Sequence, residues 1–300
     1  MKLYDAVAAF VDDVAGWKIN ETPKSYKAKL RRLVEYYPSR PLSRITTDDL
    51  NHFKRDLCGR CSPYTVKSVL STVRHFFKWA NENHLIRNDP ALKLHIPMPP
   101  PPNPKAIDRD TVDKLINAAS LHGEAWETSR NVAIIYWLRD TGGRSSGLIT
   151  ATLSGLDIKT GKCSVIEKGR EVMLYLNKPA QEALKIWLEY RHLLDPVTDH
   201  IFISHKTHEG LKREGLRHII LTLARDAGIS SRCNPHSFRH AFARDCLQSG
   251  LADLSQVSQL LHHRTVAITA AYYARWDDRE LKQIHQRASP GGKLKSPNDA

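Results

Sequence analysis

The chain reads as mainly α-helical, with one small antiparallel β-sheet in its second half. Three observations carry that reading. Apolar residues recur at helical spacing through most of the 300 residues. The period changes to two only between Leu153 and Leu176. A proline run, Pro97-Met98-Pro99-Pro100-Pro101-Pro102-Asn103-Pro104, can be neither helix nor central strand, so it reads as a stiff connector. The expected organisation is a helical domain over 1–96, a linker over 97–106, a larger domain over 107–285 and a tail over 286–300.

The elements follow in order. Residues 1–15 pattern as a short amphipathic helix. Thr22-Pro23 reads as a cap followed by proline in the first turn, with Tyr26, Leu30, Leu33, Val34 and Tyr37 on one apolar stripe. Pro38 and Pro41 stop that helix, and Thr47-Asp48-Asp49 caps a third that runs through Leu57. Ser62-Pro63 opens a long fourth helix, with Val66, Val69, Leu70, Val73, Phe76 and Phe77 inward. Lys67, Ser71, Arg74 and Lys78 share its other face, which reads equally as a solvated face or as a DNA-backbone contact. Beyond the linker, Asp108 caps a helix over roughly 109–119. Residues 128–139 form a strongly apolar helix, ended by Gly142-Gly143 with Arg144 next. Cys163, Val165 and Glu167 then alternate with Ser164 and Ile166, and Val172, Leu174 and Leu176 with Met173 and Tyr175. The turns of this sheet fall at Lys159-Thr160-Gly161 and Lys168-Gly169-Arg170. A helix from Lys178-Pro179 to about His192, a short strand or turn at Ile201–Ser204, and a helix over 211–227 complete the approach to Asn234.

Composition narrows the function. The formal net charge is +13 and the pI about 9.5, which points to a polyanionic partner. Residues 1–100 carry a clear share of the excess, with 17 Lys+Arg against 10 Asp+Glu. No apolar run is long enough for a membrane span, and the N-terminal pattern holds acidic residues unlike a secretory signal. Five scattered cysteines fit reduced thiols, so an intracellular, cytoplasmic protein is expected. Cys58 and Cys61 form a CxxC without a second ligand pair, and no metal site is expected. There is no Walker A, no GxGxxG and no HExxH, and the carboxylates do not cluster as a two-metal centre requires. No cofactor is expected.

The chemistry concentrates between Asn234 and Tyr273. His236 stands three residues before Arg239, which puts both on one helical face. A His pair at 262 and 263 and a Tyr pair at 272 and 273 follow. Arginine offers a planar fork for phosphate oxygens, histidine a proton carrier and tyrosine a covalent nucleophile. Upstream, Arg144 follows a glycine turn and Lys168 sits at a hairpin tip.

This ordered set, Arg144, Lys168, His236-Ser237-Phe238-Arg239-His240, Leu260-Leu261-His262-His263 and Tyr272, resembles the tyrosine recombinases: phage integrases and Xer-type recombinases. The N-terminal helices resemble that family's core-binding domain, so the likeness covers about residues 1–285. It implies a helical DNA-binding domain joined to a tyrosine-recombinase catalytic domain, acting on double-stranded DNA as a site-specific recombinase. Arg144 and Arg239 would clamp the non-bridging phosphate oxygens, and His263 would add a hydrogen bond. Tyr272 would attack, with His236 taking its proton, and Lys168 would protonate the departing 5′ oxygen. The result is a 3′-phosphotyrosyl intermediate, formed without metal or ATP. A homotetramer on DNA is implied, with accessory DNA-bending or directionality proteins as further expected partners. Residues 280–300 are the candidate segment to pass to a neighbour.

Some positions depart from the pattern or stay open. An acidic residue usually stands three after the first arginine, where this chain has Gly147; Arg144 is then expected to be less firmly or differently supported. His262 replaces a usual glycine. Tyr273 rivals Tyr272, and Lys162 and Lys178 rival Lys168. A non-catalytic DNA-binding homologue with an architectural or regulatory role, and a topoisomerase of the type IB kind, are the alternative functions.

Overall fold

The computed structural model describes residues 1–17, 22–100, 106–121, 123–231, 233–273 and 278–289. The chain divides into two compact units, Met1–Pro101 and Pro102–Ala300. The expected linker lies partly, and the expected tail mostly, outside the described residues.

The first unit is helical: α1 (Leu3–Trp17), α2 (Thr22–Tyr36), a 3₁₀ turn at Leu42–Arg44, α3 (Thr47–Arg60) and α4 (Pro63–Glu82). The cap of α3 is Thr46, one residue before the expected cap at Thr47. Its hydroxyl accepts the Asp49 N–H while the Asp49 carboxylate accepts the Thr46 N–H, a reciprocal capping box. Ser62 and Pro63 open α4 as their chemistry dictates. Its six expected inward residues are all buried, and Phe76 packs edge-on against both Phe10 and Phe77. On the other face, the Arg74 guanidinium donates to the Leu94 carbonyl, and the Lys67 ammonium lies 3.4 Å from Met98 Sδ. Arg74 therefore braces the chain that follows α4 and is not simply solvated.

The second unit is built around α6 (Ala125–Thr141), longer at both ends than the apolar run suggested. It buries residues on every side, including Ile134, Ile135, Trp137 and Leu138, as a central helix must. Around it stand α5 (Arg109–Leu121), α8 (Lys178–Leu193) and α10 (Pro235–Gln248), while α9 (Arg213–Asp226) packs on α5. Short helices α7 (Ser145–Thr150), α11 (Leu254–Leu260) and α12 (Val266–Tyr273) and the terminal α13 (Asp278–Ala288) complete the helical set described. The expected tail boundary at 286 falls inside α13. His200 and Ile203 make isolated antiparallel bridges to Thr152 and Gly210, and Ile201, Phe202 and Ile203 are buried.

The sheet has the order β1-β2-β3, all antiparallel: β1 (Leu156–Asp157), β2 (Lys162–Glu167) and β3 (Arg170–Tyr175). Glu167 pairs with Arg170, leaving a two-residue turn of Lys168 (φ 50°) and Gly169 (φ 75°). Positive φ at both positions matches the right-handed strand twist and makes the hairpin tight. The alternation in β2 puts Cys163, Val165 and Glu167 on the buried face.

Candidate active site

A cleft of about 930 Å³ opens in the second unit. All six expected catalytic residues line it: Arg144, Lys168, His236, Arg239, His263 and Tyr272. Lys162 and Lys178 do not; they begin β2 and α8. Arg170, His240, His262, Arg264 and Tyr273 also face the cleft, as does Glu167, to which the sequence reading gave no role in the chemistry.

Local structure explains each placement. Gly142 ends α6 in the left-handed conformation (φ 58°), and a Cβ there would lie 2.4 Å from Phe242, so only glycine fits. The sharp exit delivers Arg144 to the N-cap position of α7. Asn234 caps α10 by accepting the His236 and Ser237 N–H groups, fixing His236 and Arg239 on the first turns of that helix. At the end of α11, His262 adopts φ 49°. Glycine takes that conformation with least strain, which accounts physically for the glycine usual at this position in the resembled pattern.

The two arginines are held rigidly. Arg239 is 5% exposed; Nη1 donates to the Gly142 carbonyl at 2.9 Å and Nη2 to the Leu261 carbonyl. Burial, then the neighbouring Arg144 charge, lowers its pKa to about 10, leaving it cationic at neutral pH. The Arg144 backbone N–H donates to Glu167 Oε1 at 2.6 Å, its Nη1 pairs with Glu167 Oε2, and its Nη2 donates to the His262 carbonyl at 3.4 Å. Arg144 is thus supported differently, by a carboxylate from the sheet. The clue in the sequence was a carboxylate in the buried register of β2 beside a glycine at 147.

The histidines and tyrosines differ in setting. His263 Nδ1 lies 2.7 Å from the Thr269 hydroxyl, and Thr269 is fully buried. Burial, then Arg239, Arg144, Lys168 and His240, depresses the His263 pKa to about 4, so the ring is neutral at physiological pH. Tyr273 places its hydroxyl 2.5 Å from His240 Nδ1, and burial pushes its pKa well above the usual phenol value. Tyr272 stands beside it, with ring centroids 6.1 Å apart, and 5.5 Å from the His240 ring. Lys67, Ser71 and Arg74 lie on α4 in the first unit.

Residues 105–280 match the phage integrase family, and residues 10–84 match the phage integrase N-terminal SAM-like domain. The chain belongs to the phage integrase family, the tyrosine-type site-specific recombinases. Tyrosine recombinase XerC of Pseudomonas syringae pv. tomato is 30% identical over 285 residues, covering 93% of this chain and 93% of that protein. Tyrosine recombinase XerD of Listeria innocua is 28% identical over 287 residues, covering 90% and 92%. The fold is shared with the XerH site-specific recombinase bound to its difH substrate, with TM-score 0.71, 19% identity, and 88% and 78% of the two chains covered. It is also shared with a lambda integrase dimer bound to a COC′ core site, with TM-score 0.71, 18% identity, and 93% and 98% covered. Among the described residues, no helix is long and apolar enough to cross a membrane.

Proposed function

We propose that this recombinase breaks and rejoins duplex DNA through a 3′-phosphotyrosyl intermediate, with Tyr272 as nucleophile. The observation that carries the reading is the convergence of two immobilised guanidiniums, a neutral histidine, a hairpin lysine and a tyrosine on one cleft. Arg144 and Arg239 bind the non-bridging oxygens of the scissile phosphate and oppose the charge that grows on them, the role a metal ion fills in other phosphoryl-transfer sites. Neutral His263 donates one further hydrogen bond, its orientation set by Thr269.

In the forward step the Tyr272 oxygen bonds to phosphorus and the phosphorus–O5′ bond breaks. The phenolic proton passes to His236, and the departing 5′ oxygen takes a proton from Lys168, leaving a free 5′ hydroxyl. The phosphotyrosyl bond keeps the energy of the broken diester, so a 5′ hydroxyl from a second duplex reverses the step without ATP. The partner is double-stranded DNA, supported by the +13 charge and by the DNA complexes of the structural neighbours. Lys67, Ser71 and Arg74 are proposed as backbone contacts of the helical domain. Two duplexes and four cleavages imply a homotetramer, acting in the cytoplasm on the nucleoid, with accessory bending or directionality proteins.

Tyr273 is set aside as nucleophile by its setting. Its hydroxyl is engaged by His240, and burial disfavours the phenolate. The test is a covalent-adduct assay. The protein is incubated without added metal with DNA fragments flanking its own gene, and protein–DNA bands resistant to SDS are scored. The band should be lost in Tyr272→Phe and retained in Tyr273→Phe. An adduct undiminished in Tyr272→Phe would overturn the assignment.

A further inference from the structure

We infer that Glu167 is the positioning residue for Arg144, filling from strand β2 the place that a side chain at 147 would otherwise take. The inference deepens the proposed function and rests on its reading of Arg144 as a phosphate clamp. Glu167 is almost wholly buried, with its side chain 1% exposed against 14% for Arg144. A carboxylate so placed needs strong partners, and this one has two from a single residue. Oε1 accepts the Arg144 backbone N–H at 2.6 Å, and Oε2 pairs with the guanidinium. The backbone and the head of Arg144 are therefore fixed together.

The glycine completes the case. A Cβ added at Gly147 would lie 2.9 Å from Glu167 Oε1 and 3.2 Å from Val165 Cγ2. The space next to residue 147 is already filled by the carboxylate from β2. Gly147 and Glu167 thus form one structural feature: the helix position carries no side chain, and the strand supplies the charge. Glu167 is also the last residue before Lys168 in the tight turn, and its Oε2 lies 3.9 Å from His262 Nδ1. One buried carboxylate thereby ties the first arginine to the hairpin that carries the lysine.

The test compares single-turnover adduct formation, DNA affinity and melting temperature in five proteins, using gene-flanking duplex fragments as probe. These are the wild type, Glu167→Ala, Glu167→Gln, Gly147→Glu, and the Gly147→Glu/Glu167→Ala double variant. Glu167→Ala should slow adduct formation about 100-fold, the scale of a misplaced clamp. DNA affinity should change less than about threefold, since other phosphate contacts dominate it. Gly147→Glu alone should also be impaired, by crowding of the two carboxylates. The double variant should be faster than either single change, a reciprocal rescue that a merely structural role does not give. Glu167→Gln keeps the shape but turns one accepting oxygen into a donor that faces Arg144; it should slow adduct formation and lower the melting temperature less than Glu167→Ala does. Wild-type rates in Glu167→Gln or Glu167→Ala, or a folded double variant no faster than Glu167→Ala, would overturn the inference. If the wild type forms no adduct, the functional reading fails first and separately, and the inference falls with it.

Discussion

The hydroxyl of Tyr273 lies 2.5 Å from Nδ1 of His240, joining the end of α12 to α10. Tyr273 also packs with Ala243, Val257 and Leu261. It thereby anchors the segment that carries its neighbour Tyr272. Tyr273→Phe should keep adduct formation within a few-fold of the wild type and lower stability by about 1 kcal/mol, the usual value of one hydrogen bond. Thermal denaturation alongside the adduct assay separates the two effects.

Arg239 is held by two backbone carbonyls, those of Gly142 and Leu261. Lysine cannot reproduce that fork. Arg239→Lys should lower single-turnover cleavage by about 10²–10³-fold, the range for losing a fixed donor to a developing oxyanion. DNA binding measured by mobility shift should change little.

His263 gives the site a signed pH response. Its folded pKa, about 4, lies below the ordinary histidine value, so between pH 6.5 and 4 the unfolded chain binds the proton first. This contribution to stability is complete above about pH 6.5 and is lost as pH falls toward 4. Burial sets it first, and then the charges of Arg239, Arg144, Lys168 and His240. The loss should be on the order of 1–2 kcal/mol, discounted for partial exposure. Melting curves from pH 7 to 4.5 should show a drop that shrinks in His263→Gln.

Gly142 is the bend on which Arg144 depends. Gly142→Ala places a methyl group 2.4 Å from the Phe242 ring at a positive φ. It should cost about 2 kcal/mol or more and reduce adduct formation together with stability. Denaturant unfolding reads the first effect directly.

In the helical unit, Lys67 and Arg74 should part company. Lys67→Ala should weaken binding evenly across DNA sequences and reduce the slope of log K against log salt by about 0.9, with an unchanged melting temperature. Arg74→Ala should also destabilise the domain, because its guanidinium holds the Leu94 carbonyl. Fluorescence anisotropy titrations at several salt concentrations, with melting curves, test both.

What the sequence determined by itself were the features encoded locally. Ser62-Pro63 marks a helix start because a cap and a first-turn proline act within four residues. The hairpin turn read at Lys168-Gly169-Arg170 follows from glycine beside alternating strands, and the structure narrows it to Lys168-Gly169, with Arg170 already paired in β3. The order of Arg144, Lys168, His236, Arg239, His263 and Tyr272 was legible because motif spacing lies along the chain. The cap of α3 was misplaced by one residue because Thr46 and Thr47 are the same residue type, and only the bond to Asp49 chooses between them. Three matters were decided by tertiary structure alone. Gly147 and Glu167 compete for one volume although twenty residues apart in the chain, so the support of Arg144 appears only when β2 packs against α7. Tyr272 and Tyr273 are one residue type side by side, and their difference comes from which hydroxyl meets His240. The depressed pKa of His263 arises from burial and from charges on α10, the 142–144 turn and the hairpin, which no linear pattern brings together. Volume exclusion, burial and Coulomb fields act through space, and the fold is what sets those distances.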